Sequence, residues 1–221
     1  MSRTLLFDLD GTLVDSVADL SAALNRLMQS RALPPFSDSE TATMVGDGAA
    51  VLIERAFAAR SHTPDPTALP EFLADYGANF AVQTRLYPGV AATLHELVAD
   101  GWRLAVCTNK PEAPARSLLA ALGVAQMFAA IGGGDSFPVR KPDPAHLLAT
   151  LAAAGGCAQR AVMAGDHAND VAAARGAGIP CIFAMWGYGP AAMAAGAAAT
   201  ARDVTELPAI AARLVGDKAR V

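Results

Sequence analysis

Two aspartates separated by a single residue follow an apolar run near the start of the chain, in Thr4-Leu5-Leu6-Phe7-Asp8-Leu9-Asp10-Gly11-Thr12-Leu13. Like charges this close repel each other unless a cation or a shared proton offsets the repulsion. A lone Asp-x-Asp would serve equally well as an acidic turn that ends a strand. Here an apolar strand precedes it and Gly11-Thr12 follows, and that setting favours a bound metal. A second acidic pair lies in Gly165-Asp166-His167-Ala168-Asn169-Asp170-Val171. Its i, i+4 spacing puts Asp166 and Asp170 on one face of a helix start. Alone, this pair would cap the helix and complement its dipole. Together with Asp8 and Asp10 it makes an oxygen-rich site for a hard ion such as magnesium.

Two further polar positions follow apolar runs. Thr108, after Leu104-Ala105-Val106-Cys107, offers a hydroxyl beside the backbone amides of Asn109 and Lys110, donors suited to an anion near a helix start. Lys141 is followed by Pro142, which biases it to extended backbone and limits where its ammonium can point. Standing alone, Thr108 would be a helix cap and Lys141 a solvated surface lysine.

The elements that must position these residues are short. Thr4 to Phe7, Arg103 to Cys107, Met127 to Ile131, Arg160 to Ala164 and Pro180 to Ala184 each have the length and composition of a buried parallel strand. Between the later runs lie helical patterns at Ala91 to Asp100, Pro111 to Leu122, Asp143 to Ala154 and Asn169 to Ala177, with Gly101, Gly123, Gly155 and Gly178 as stops. Alternating β and α of this kind predicts a doubly wound α/β parallel sheet, a Rossmann-like core, with ligands beyond the carboxyl ends of its strands. Asp8, Asp10, Thr108, Lys141, Asp166 and Asp170 all fall there.

The first strand and the second are separated by far more chain than one crossover helix needs. Residues 15–85 show helical patterns and no clear strand, which predicts an inserted helical cap domain, with residues 1–14 and 86–221 forming the core. Within the insert, Asp15 or Ser16 would cap a helix running to about Ser30, and a second helix would span Asp38 to Val45. Gly46-Asp47-Gly48 reads either as a turn at a helix start or as a loop that contacts substrate. Arg55 reads as a solvated helix residue. A short strand at Ala198 to Thr200 and a last helix from about Glu206 complete the expected elements.

Composition excludes several classes. The formal charge is -4 with dispersed lysines and arginines, so there is no footprint for a nucleic-acid backbone. No apolar run approaches the roughly 18 residues of a membrane span. Residues 1–7 lack a secretory pattern, so cytoplasm is the expected location. Cys107, Cys157 and Cys181 have no paired short spacing, against both a disulfide framework and a zinc knuckle.

The segments Phe7-Asp8-Leu9-Asp10-Gly11-Thr12-Leu13, Val106-Cys107-Thr108-Asn109-Lys110, Arg140-Lys141-Pro142-Asp143-Pro144 and Gly165-Asp166-His167-Ala168-Asn169-Asp170-Val171 resemble, in order and spacing, the four motifs of the haloacid dehalogenase-like phosphohydrolases. More narrowly, the motifs, with Tyr87-Pro88-Gly89-Val90 and Trp186-Gly187-Tyr188-Gly189, look like those of bacterial phosphoglycolate phosphatases. The resemblance implies a magnesium-dependent phosphatase acting on a small phosphorylated metabolite, 2-phosphoglycolate first, through an aspartyl-phosphate. It makes Asp8 the nucleophile and Asp10 the acid and base. Thr108, the Asn109 amide and Lys141 would hold the phosphoryl oxygens. Magnesium would sit on Asp8, the Asp10 carbonyl and Asp166, with Asp170 supporting that shell, and Gly46, Asp47 and Gly48 would form the specificity loop. His167 and Ala168 stand where relatives often carry serine and arginine, and His167 reads as a supporting or surface group. Another phosphate ester, a sugar-phosphate mutase and a catalytically idle phosphate-binding regulator remain alternatives. A dehalogenase has no leaving alkoxide for Asp10 to protonate. The sequence leaves monomer and homodimer equally open.

Overall fold

The computed structural model describes residues 2–216. Six parallel strands form one sheet in the order β5-β4-β1-β6-β7-β8. They are β1 (Thr4–Phe7), β4 (Arg103–Cys107), β5 (Phe128–Gly132), β6 (Ala161–Gly165), β7 (Cys181–Ala184) and β8 (Ala199–Ala201). Strand β1 lies in the middle, paired to β4 and to β6. The carboxyl ends of these three neighbours therefore place Asp8, Thr108 and Asp166 side by side.

Side chains alternate between the two faces, as the pleat requires. Leu5, Phe7, Val106 and Ala164 pack with Leu94 and Leu97 of α5 (Val90–Ala99), Leu118 of α6 (Glu112–Ala121) and Leu207 of α9 (Leu207–Leu214). Leu6, Ala105 and Met163 face the other way, onto Leu147 of α7 (Pro144–Ala153) and Val171 of α8 (Ala168–Gly176). Helices on both faces explain why the strands read as continuous apolar runs. Strands β5 and β6 begin one residue later than the composition suggests, because a 3-10 turn at Ala125–Met127 and another at Ala158–Arg160 occupy the approach.

The segment after β1 carries α1 (Val17–Ser30), α2 (Asp38–Ala42), α3 (Ala49–Ala59) and α4 (Ala68–Asn79). These helices bury a cluster of their own, including Leu24, Met28, Ile53, Phe57 and Phe72. Helix α2 stops at Ala42, short of the expected Val45, and the chain then opens into the Gly46-Gly48 loop. The expectation of no strand in this segment needs correction at its base. β2 (Val14–Asp15) pairs antiparallel with β3 (Arg85–Leu86), so the two connections form one ribbon. Two-residue strands carry no readable period. Asp19 braces the same base, accepting from the Gln83 and Thr84 amides and the Thr84 hydroxyl. Among the described residues no helix is long and apolar enough to cross a membrane. All three cysteines are free, and Cys107 and Cys181 are buried.

Candidate active site

Strand β1 delivers Asp8 directly, its amide continuing the ladder to the Ala164 carbonyl at 2.9 Å. The chain then turns sharply. Gly11 has φ +84°, and a Cβ there would lie 2.3 Å from Asp166 Oδ2, so only glycine permits this approach. Thr12 completes the contact by donating its hydroxyl to Asp166 Oδ1 at 2.7 Å. The Tyr188 amide donates to Asp166 Oδ2 at 2.8 Å. Burial and the charge of Asp8 push the Asp166 carboxyl up to about 6.

Asp8, Asp166 and Asp170 are all buried and offer oxygens within 4.8 Å of one another. Lys141 is enclosed among them, its Nζ 2.9 Å from Asp8 Oδ1 and 2.6 Å from Asp170 Oδ1. Burial would lower this lysine, but Asp170 and Asp8 outweigh it and hold the ammonium well above its ordinary range. Three carboxylates against one ammonium leave an excess of negative charge in an oxygen-only setting, a donor set that fits a hard divalent cation. Asp170 also receives the His167 amide at 3.0 Å as part of a capping box on α8. Its helix-capping role and its place in the acidic cluster therefore coexist.

The loop carrying Lys141 is pinned by His146. That ring accepts from the Lys141 amide at Nδ1 (3.2 Å), which places its proton on Nε2, directed at the Gly133 carbonyl 3.0 Å away. Burial and the nearby Lys141 charge push His146 down to about 4. The sequence attaches no motif to His146; its service is visible only once Gly133 and Lys141 converge.

Asp10 lies beside this cluster, bonded by the Ser16 hydroxyl at 2.5 Å and by Lys110 Nζ at 3.0 Å to each carboxylate oxygen. Ser16 is the N-cap residue of α1 yet makes no side-chain cap bond, because its hydroxyl is directed to Asp10. The orphaned amides of Ser16 and Val17 donate instead to the Tyr188 hydroxyl, at 2.7 and 3.0 Å. The side chains of Lys110, Ser16 and Tyr188 thus belong to the site, though the sequence suggested Ser16 only as a helix cap and Lys110 only through its backbone amide. Lys110 stands in the Thr108-Asn109-Lys110 motif and Tyr188 in Trp186-Gly187-Tyr188-Gly189, so the signal was present without a partner to give it meaning.

Thr108 is buried, its amide bonded to the Gly132 carbonyl, and the Lys110 amide donates to its hydroxyl oxygen at 3.2 Å. Asn109 turns its side chain toward the helical segment, donating to the carbonyls of Gly46 (3.1 Å) and Lys141 (3.0 Å). Asn169 donates to the Gly46 carbonyl at 2.8 Å and to Asp47 Oδ1 at 3.2 Å. The loop Gly46-Asp47-Gly48 therefore closes onto the core. Gly46, at φ +123°, packs so tightly on His167 that a Cβ would come within 2.6 Å of the ring. Arg55 is not simply solvated: it pairs with Asp47 and donates to the Met44 carbonyl, bracing the loop. A cavity of about 280 Å³ lies between the two parts, with Asp8, Asp10 and Thr108 at its base and Leu20, Leu52 and Phe72 above.

A doubly wound sheet with a lysine-centred carboxylate cluster at the carboxyl ends of its middle strands, covered by a helical insertion, defines a class of hydrolases. The chain belongs to the haloacid dehalogenase-like hydrolase family, whose model matches residues 5–184. It is 45% identical over 197 residues to a phosphoglycolate phosphatase of Agrobacterium fabrum, covering 85% of this chain and 82% of that one. It is also 45% identical over 196 residues to a phosphoglycolate phosphatase of Rhodospirillum rubrum, with 85% and 81% covered. The structure is similar to that of a predicted phosphoglycolate phosphatase from Haemophilus somnus, with TM-score 0.87, 32% identity and 95% and 97% of the two chains covered. It also resembles CbbY from Rhodobacter sphaeroides in complex with phosphate, with TM-score 0.78, 27% identity and 94% and 96% covered.

Proposed function

We propose that this phosphoric monoester hydrolase acts on 2-phosphoglycolate, with Asp8 and Asp10 as its two working carboxylates. The observation that carries the reading is the convergence of Asp8, Asp10 and Thr108 at the base of one cavity, with Lys141 and Asp166 packed beside Asp8 beneath it. Residues 15–85 act as a cap that closes over the core of 1–14 and 86–221, excluding bulk water from the reacting phosphate.

Asp8 attacks phosphorus in line with the ester oxygen, and the bond from phosphorus to that oxygen breaks as the aspartyl-phosphate forms. Asp10 gives its proton to the departing alkoxide, then takes one from the water that hydrolyses the intermediate. Lys141, the Thr108 hydroxyl and the Asn109 amide hold the transferring phosphoryl oxygens, where fixed positive charge and donors stabilise the transition state. Ser16 and Lys110 aim the Asp10 carboxylate. Asp8, the Asp10 carbonyl and Asp166 would hold magnesium, with Asp170 supporting them, and the ion would supply charge neutralisation between an anionic nucleophile and an anionic ester. Gly46, Asp47 and Gly48 set the closed position of the cap. The partner is a small phosphorylated metabolite, with neither nucleic acid nor membrane involved, and the protein works in the cytoplasm as a monomer or homodimer.

The test is kcat/KM across 2-phosphoglycolate, hexose phosphates, nucleotides, xylulose bisphosphate and pyrophosphate, with and without magnesium. The expected result is magnesium-dependent phosphate release, highest on 2-phosphoglycolate. A higher kcat/KM on another ester overturns the substrate. Absence of release from all of them overturns the enzyme reading in favour of a phosphate-binding regulator. Return of a phosphorylated hexose isomer in place of free phosphate would identify a mutase.

A further inference from the structure

The walls of the cavity above Asp10 are largely apolar: Leu20, Leu52 and Phe72 come from the helical segment, Pro111 and Pro114 from the core. Such walls give an anion nothing, since a carboxylate brought there without a partner retains its full desolvation cost. Among the described residues lining the cavity, Lys110 alone carries a positive charge. Its ammonium has three donors to place. It lies 3.0 Å from both Asp10 oxygens and 4.6 Å from the centre of the Tyr76 ring.

Tyr76 reaches this point from α4. Its ring stacks on Phe72 with centroids 6.0 Å apart, and the residue is only 4% exposed. The Tyr76 hydroxyl is buried with the donor-only Lys110 ammonium as its polar neighbour, so its own proton has no acceptor. Buried phenols nearly always find one, because an unsatisfied donor retains its desolvation cost. A hydroxyl proton with no acceptor beside a lysine, in a cavity that must admit a phosphate ester, is a donor waiting for an acceptor on the ligand.

We propose that Lys110 Nζ and the Tyr76 hydroxyl together form a subsite for a carboxylate on the leaving group, an assignment that rests on the phosphoglycolate reading above. In that ester the carboxylate carbon stands two bonds beyond the oxygen that Asp10 protonates. Lys110 touches Asp10 itself, so one short molecule reaches both groups. One donor belongs to the core and the other to the helical segment, so the carboxylate is fully satisfied only when the two parts are together. An ester whose leaving group ends in a methyl keeps the same carbon chain but brings no oxygen, and leaves the buried hydroxyl without an acceptor. Sites built around such donors discriminate strongly against ligands that lack the acceptor.

The experiment compares kcat/KM on 2-phosphoglycolate and on ethyl phosphate for the natural protein, Tyr76→Phe, Lys110→Met and Lys110→Arg. Tyr76→Phe keeps the stacked ring, so it carries the test even where a Lys110 variant fails to fold. The preference for 2-phosphoglycolate should fall about tenfold in Tyr76→Phe, chiefly through KM, and about a hundredfold in Lys110→Met, with part recovered in Lys110→Arg. A preference unchanged within about twofold in Tyr76→Phe overturns the subsite. A natural protein that hydrolyses other esters but not 2-phosphoglycolate instead overturns the substrate reading beneath it.

Discussion

Asp8 and His146 show two ways in which a buried residue serves this site. Asp8 is held against Lys141 with one carboxylate oxygen and receives the Leu9 amide at 2.7 Å on the same atom, which leaves the other oxygen for chemistry. Asp8→Asn keeps the shape and removes the proposed nucleophile, so turnover should fall by about a thousandfold or more while circular dichroism stays that of the folded chain. His146 works only as the neutral tautomer, because a proton on Nδ1 would face the Lys141 amide. Its pKa is lowered in the fold from 6.5 to about 4, so on acidification the unfolded chain takes up the proton first. The stability His146 contributes is complete above about pH 6.5 and is lost as pH falls toward 4. Urea unfolding at pH 7.5 and pH 5 should show a smaller difference in His146→Gln than in the natural chain.

At the scale of elements, the loop between α2 and α3 is the joint between the two parts. Three donors from the core, on Asn109 and Asn169, end on Gly46 and Asp47, and Arg55 braces Asp47 from α3. The same loop needs glycine at position 46 for its φ of +123° and for contact with the His167 ring. Gly46→Ala combines backbone strain of about 1–3 kcal/mol with a direct clash on the His167 ring, both opposing the docking of this loop on the core. The expected result is a rise of about tenfold or more in KM with a smaller change in kcat, read from steady-state kinetics. Gly46-Asp47-Gly48 is ambiguous in sequence because a helix-start turn and a loop that contacts substrate use the same residues. In the fold Gly48 is the N-cap of α3 and the loop docks on His167, Asn109 and Asn169, which are distant in the chain.

Across the whole molecule, the acidic cluster would tie folding to the divalent cation proposed for it. Carboxylates from β1 and from the start of α8 meet only in the native state, so an ion that bridges them stabilises the fold by mass action. At magnesium a hundredfold above its Kd, the gain is about 2.7 kcal/mol, which for a chain of 221 residues raises Tm by about 5 to 10 °C. A thermal melt should show this rise, EDTA should reverse it, and Asp166→Asn should abolish it. A Tm indifferent to magnesium in the natural chain would contradict the metal reading.

The sequence by itself determined the sheet and its chemical edge. Strands buried on both faces must be apolar throughout, and the first polar residue after each must lie at the strand's carboxyl end. Asp8, Thr108 and Asp166 were therefore legible from local composition alone. The positions of Lys141 and Asp170 followed from the same motifs, but their shared ion pair did not. Tertiary structure decided the partners: Lys110 and Ser16 on Asp10, His146 under Lys141, Tyr188 across the base of the helical segment. It also decided that the β2 and β3 connections form a ribbon and that Arg55 braces a loop. The physical reason is common to all of these. Strand and helix patterns are short-range properties of the chain, whereas the pairing of a buried charge or an orphaned amide depends on which distant group the fold brings within hydrogen-bond reach.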